Sequence, residues 1–267
     1  MSGHIAGWVW RRARVGLMLA ILLPLLVGTI NGLAWPVWSK EREVLRPVLT
    51  RLRHFVRTDV ADVDIFTPEG AFMIPFQHPL SLLSCAVAMA VLTLPILAGE
   101  RGRGGLEILL VTRLTRRGLL WGVLRAALPV ALCFGHGPLL GTCLGAALVG
   151  ETGDLPFAIY ECMALQLGLL AAWLMALGIL IGTWASDGAK ALRTYVLVVA
   201  ISFVLDFTSH AMKGWDAIKY FSPLGWYDPG EMLQRGSMVP TSVAVLAVSA
   251  ALMFAASLRI ADQRRSA

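Results

Sequence analysis

Asp206 and His210 stand four residues apart in an apolar run, so a helix places them on one face. A carboxyl and an imidazole at that spacing suit a proton relay or a hydrogen bond that packs two helices. The packing role is preferred, because one pair is thin material for a relay. His136 lies between Gly135 and Gly137, where it suits a substrate contact or the polar side of a helix break. Glu161 sits near the outer end of another apolar run, within reach of interfacial water. Asp59, Asp62 and Asp64 lack the glycine turn and distal glutamate of a calcium loop and read as a solvated loop. Cys85, Cys133, Cys143 and Cys162 form no C-x-x-C pair and stand beside no histidine at ligand spacing. They read as small apolar packing residues. No nucleophile–base arrangement and no G-x-x-x-x-G-K-[ST] phosphate loop occurs. The expectation is a chain that is not itself an enzyme and binds no cofactor or metal.

The elements that hold these residues follow from composition. Of 267 residues, 57% are hydrophobic and only 15% charged, against about 25% in soluble proteins. Mean hydropathy is +0.70. A soluble domain of this size has too little interior for so much apolar surface, so the solvent for most of the chain is lipid. Six runs approach the ~20 apolar residues of a spanning helix: about 15–35, 80–98, 127–149, 158–184, 194–212 and 241–258. The expected fold is all-α, a single domain over residues 1–267 with six transmembrane helices. The first run reads as an uncleaved helix, being longer than a signal-peptide core and followed by no small-x-small site. Pro240 suits the first turn of the last span.

Charge orients the helices. With both termini cytoplasmic, the inner segments carry 14 of the 23 basic residues and 4 of the 17 acidic ones, a net +10 against −4 elsewhere. The net charge of +6 therefore reflects position against a membrane, and nucleic acid is not an expected partner. On the outer side, Val44, Leu45, Val48, Leu49, Leu52, Phe55 and Val56 repeat at helical spacing. That helix either lies along the interface or packs on the spans. Nearer the end, Asp228 can cap a short helix with Pro229 at its first position and Glu231 at capping-box spacing. Trp226 and Tyr227 suit headgroup depth.

The stretch after the second run is the most informative. Gly99, Gly102, Gly104 and Gly105 interrupt the preceding helix. Leu106, Leu109, Leu110 and Leu114 then share a face, with Glu107, Arg113, Arg116 and Arg117 off it or at its edge. A short amphipathic helix of this kind lies on anionic lipid or docks into a partner's groove.

This stretch resembles the cytoplasmic loop of the type-2 ATP-binding-cassette exporter permeases. Glu100, Arg101, Gly104, Leu106, Glu107, Leu109, Leu110, Thr112, Thr115 and Arg116 match that family's pattern. Gly105 stands where the family has threonine, Arg113 where it has proline, and Val123 near the place of a lysine. Ser222 to Glu231 resembles the family's Ser-Pro-aromatic-Asp-Pro stretch before the last helix. The resemblance implies a coupling helix between spans two and three that contacts a separate cytoplasmic ATPase, which binds ATP and Mg. It also implies a second permease chain and an inner-membrane location. Glu107 and Arg116 are the expected polar contacts. A proton-coupled carrier using Asp206 and His210, or a membrane protein with no transport role, is the alternative.

Overall fold

The computed structural model describes residues 2–44, 47, 66–102, 115–150, 156–212 and 214–263. Among them the structure is all-α, without strands. In chain order, α1 is Ser2–Arg12, α2 Arg14–Lys40, α3 Pro68–Gln77 and α4 Pro79–Leu94. Helix α4 continues through a π turn, Pro95–Gly99, into a last turn, Glu100–Gly102. Then come α5 (Arg116–Phe134), α6 (His136–Val149), α7 (Phe157–Trp184), α8 (Gly188–Ala211), α9 (Pro229–Arg235) and α10 (Pro240–Gln263). Two 3₁₀ turns, Asp216–Phe221 and Pro223–Trp226, precede α9.

Six helical stretches are long and apolar enough to cross a membrane: Arg14–Lys40, Pro68–Gly102, Arg116–Val149, Phe157–Trp184, Gly188–Ala211 and Pro240–Gln263. The expected runs fall inside these stretches but for a residue at the end of the fifth, and several helices reach further. Local chemistry sets the true ends. Thr115 accepts the Gly118 N–H at 3.0 Å, so the third stretch begins eleven residues before the expected 127. Asp187 accepts the Lys190 N–H at 2.8 Å and starts the fifth at Gly188 rather than Thr194. The second stretch gains α3, whose residues are mostly buried although the sequence reading placed them in an outer loop. Thr67 caps α3, and His78 breaks the line before α4 in extended conformation while its Nδ1 accepts the Leu80 N–H. The glycine run does not end this stretch at Gly99. Pro95 has no N–H to give, and the turn widens so that Glu100 N–H reaches the Pro95 carbonyl.

Helix α7 is the centre. Buried positions make up 78% of its apolar window, against 11% for α10. A helix apolar on all sides belongs in an interior, and α7 packs against α4, α5, α6, α8 and α10.

Helix α2 buries Gly16, Ala20, Pro24, Gly28 and Gly32, one residue in every four, plus Trp35. Met18, Leu22, Leu26, Ile30 and Leu33 point outward. The small stripe follows the i±4 ridge of the helix; its Gly16 end lies on Val91 and Leu92 of α4, and from Pro24 onward it lies on Gly137, Gly141 and Gly145 of α6. A Cβ on Gly32 would stand 2.8 Å from the Gly145 Cα, and one on Gly137 2.7 Å from Pro24 Cβ. Lipid supplies no hydrophobic drive to join two helices, so dispersion at close backbone approach must hold them. We expect Gly141→Val to lower stability by about 1–3 kcal/mol, the scale of overpacking, because its Cβ would overlap the Leu25 carbonyl. Gly7→Ala, with open space around its Cβ, should leave the unfolding midpoint in detergent unchanged or raised.

Candidate functional site

Four charged segments meet at one end of the bundle. The last turn of α4 supplies Glu100 and Arg101. Arg12, at the end of α1, places Nη2 2.6 Å from Glu100 Oε1. Arg101 Nη1 donates to the Thr183 carbonyl at 3.1 Å and to the Ala185 carbonyl. Arg117, in the first turn of α5, pairs with Asp262 in the last turn of α10. Gly99 and Gly188 bring the α4 tail and the start of α8 close, since a Cβ on Gly188 would lie 3.3 Å from the Gly99 Cα. Lys190 sits 4.6 Å above the Trp184 ring. Helix α1 is fastened along α5, where Trp10 Nε1 donates to the Ala126 carbonyl at 3.0 Å.

Arg101 has the most physical consequence here. The last carbonyls of a helix have no partner within it, and they carry the negative end of its dipole. Arg101 comes from another helix and supplies both donors and charge to the end of α7. A planar guanidinium can serve two carbonyls at once, which a lysine does less well. Leu97, Arg101, Arg116, Thr183 and Ala261 line a cavity of about 20 Å³ beside it, space for a single water. Glu100 and Arg101 thus tie neighbouring helices together. Arg116, at the start of α5, lies at the same end. Gly104, Leu106, Glu107, Leu109, Leu110 and Thr112, with the expected amphipathic helix, lie outside the described residues. So do the outer helix from Leu45 to Val56 and Asp59, Asp62 and Asp64.

The polar residues of the spans are arranged differently from the expected picture. His210 Nδ1 takes the main-chain oxygen of Asp206 at 2.7 Å rather than its carboxylate. Ser209 Oγ donates to the same oxygen at 2.6 Å. Asp206 itself is buried. His136 does mark a helix break: Gly135 joins α5 to α6, and a Cβ there would overlap the Ala164 carbonyl of α7. His136 Nε2 lies 3.0 Å from Glu161 Oε1, a pairing that sequence alone could not give because the residues sit on separate spans. Among the described residues no group of three His, Cys, Asp or Glu side chains is placed to hold a metal. The four cysteines are unbridged, and Cys133 is exposed rather than packed inside.

The end opposite the charged one is closed by residues 214–239. Asp228 caps α9 by accepting the Glu231 N–H at 3.1 Å, as its spacing implied. The Glu231 side chain pairs with Arg235 at 3.0 Å, so the expected capping box is half formed. Tyr227 Oη donates to the Phe76 carbonyl at 3.0 Å, Gln166 Nε2 to the Trp226 carbonyl at 3.0 Å and Ser222 Oγ to the Ser202 carbonyl at 2.9 Å.

Compared with protein families, characterised proteins and solved structures, the chain matches none.

Two outcomes follow at the charged end. Arg101→Met leaves the α7 carbonyls without their charged donor and should lower stability by about 1.5–3 kcal/mol. A double-mutant cycle on Arg12 and Glu100 should couple by only about 0.2–1 kcal/mol, since Arg12 is 44% exposed. Denaturation of the purified variants measures both. Asp187 gives a pH signature. Accepting the Lys190 N–H, and next the Ser186 hydroxyl, holds its carboxyl below the usual range. Its capping contribution is therefore full above the unfolded carboxyl's pKa of about 3.9 and is lost as pH falls from there through the lower folded value. Hydrogen-exchange protection in the first turn of α8, taken relative to the intrinsic rate at each pH, should hold down to about pH 4 and fall below it in the wild type. It should stay flat in Asp187→Asn, which caps without titrating.

Proposed function

We propose that this chain is the permease subunit of an exporter driven by ATP hydrolysis on a separate cytoplasmic ATPase. It is read as a multi-pass protein of the inner cell membrane with both termini cytoplasmic. It works beside a second permease chain, identical or not, and ATP and Mg are held by the ATPase. The observation that carries this reading is how the loop after the second span is mounted. Its entry is tied by Arg101 to the end of α7 and by Glu100 to α1. Its exit is tied by Arg117 to α10. A loop held at both ends by salt bridges and a helix cap is suited to pass a push from a docked partner into several spans at once. The sequence of that loop resembles the coupling loop of the type-2 exporter permeases, and the chain has no phosphate loop of its own.

The carrier alternative draws no support from the described geometry, because the His210 ring engages main chain. Polar contacts to the ATPase are assigned to Glu107 and Arg116, and cargo is left unassigned. Co-purification of the chain with a candidate ATPase tests the reading. Glu107→Ala and Arg116→Ala should each weaken association at least about fivefold, the ~1 kcal/mol scale of an interface contact, or reduce coupled ATP hydrolysis. Unchanged association and unchanged hydrolysis in both variants would contradict it.

A further inference from the structure

Beside its buried apolar anchors Leu224 and Met232, the seam between the cap and the spans holds a small cavity with polar lining. Gln77, His210, Lys219, Gly225, Tyr227 and Asp228 line it, and its volume is about 10 Å³. Gln77 is only 3% exposed, and its Nε2 has no hydrogen-bond partner among the described residues. Gln166, fully buried, uses Nε2 on the Trp226 carbonyl and leaves Oε1 without a partner. Gln166 thus holds the cap at Trp226, and the next residue, Tyr227, lines the cavity with Gln77 while its hydroxyl donates to the Phe76 carbonyl. Lys219 Nζ lies 4.0 Å from Asp228 Oδ2, too long for a direct hydrogen bond. Buried amides are almost always satisfied by protein or by ordered water. A site with two to four polar partners and about 10–15 Å³ of free volume is what one water needs.

We infer that this cavity is a binding site for one ordered water that joins Gln77 of the second span to the cap at Lys219 and Asp228. Its ligand is a small hydrogen-bonding oxygen, set beside the apolar anchors Leu224 and Met232 of the cap. The inference goes beyond the exporter reading and does not depend on it.

Radiolytic hydroxyl-radical labelling of the full chain in nanodiscs tests the site, since radicals made from a resident water mark the side chains beside it. Tyr227 and Tyr195 serve as a matched pair: both are buried, and both donate to a main-chain carbonyl at 3.0 Å. Only Tyr227 lines the cavity. The expected result is labelling of Tyr227 with Tyr195 silent, and loss of most of the Tyr227 label in Gln77→Met. Equal labelling of the two tyrosines, silence of both, or an undiminished Tyr227 label in Gln77→Met would overturn the inference. If Gln77→Met does not fold, the wild-type comparison of the two tyrosines decides alone.

Discussion

Arg101 rests on the carbonyl oxygens that end α7, and α7 is the helix around which most of the bundle packs. Main-chain groups left unsatisfied away from water are expensive. A long apolar helix therefore depends on how its last turn is finished. Here the finish comes from a residue on another span. The same residue lies in the last described turn before the third span, so the end of α7 and the position of that turn are one structural fact. Glu100 extends the tie to α1 and Arg117 extends it to α10.

Away from this end the bundle is held by shape. The glycines of α2 and α6 bring two backbones together where larger residues would hold them apart. That contact leaves the bulky residues of α2 facing outward. Long stretches are interrupted at His78, Pro95 and Gly135. At the far end, the cap is attached by single hydrogen bonds to main-chain carbonyls, a different kind of joint from the charged platform.

Much of the architecture was legible in sequence because lipid imposes a simple rule on length and apolarity. Six runs were visible, and so were the cap at Asp228 and the first-turn place of Pro240. The segment of α3 was missed because its ten residues are short and flanked by prolines, which reads as a loop until its burial is seen. The glycine stripes stood in the sequence as a four-residue period, but a pattern of small residues does not say which helix it meets. The ties of Arg101 were not legible, since main-chain acceptors leave no trace in sequence. Nor was His136 with Glu161, which depends on the tertiary placing of two spans. Asp206 and His210 were on one face as expected, yet the ring chose the nearer main-chain oxygen. Composition predicts which groups are close, and local geometry decides which atoms bond.

The exporter reading requires one placement: the end bearing Glu100, Arg101, Arg117 and Asp262 would face the cytoplasm, where a partner ATPase would dock. Labelling of single cysteines with a membrane-impermeant maleimide measures it, using Arg193→Cys near the charged end and Ser237→Cys in the cap, both exposed positions. The account predicts that Ser237→Cys reacts in intact cells and Arg193→Cys reacts only after permeabilisation. Reaction of Arg193→Cys in intact cells, with Ser237→Cys protected, would contradict it.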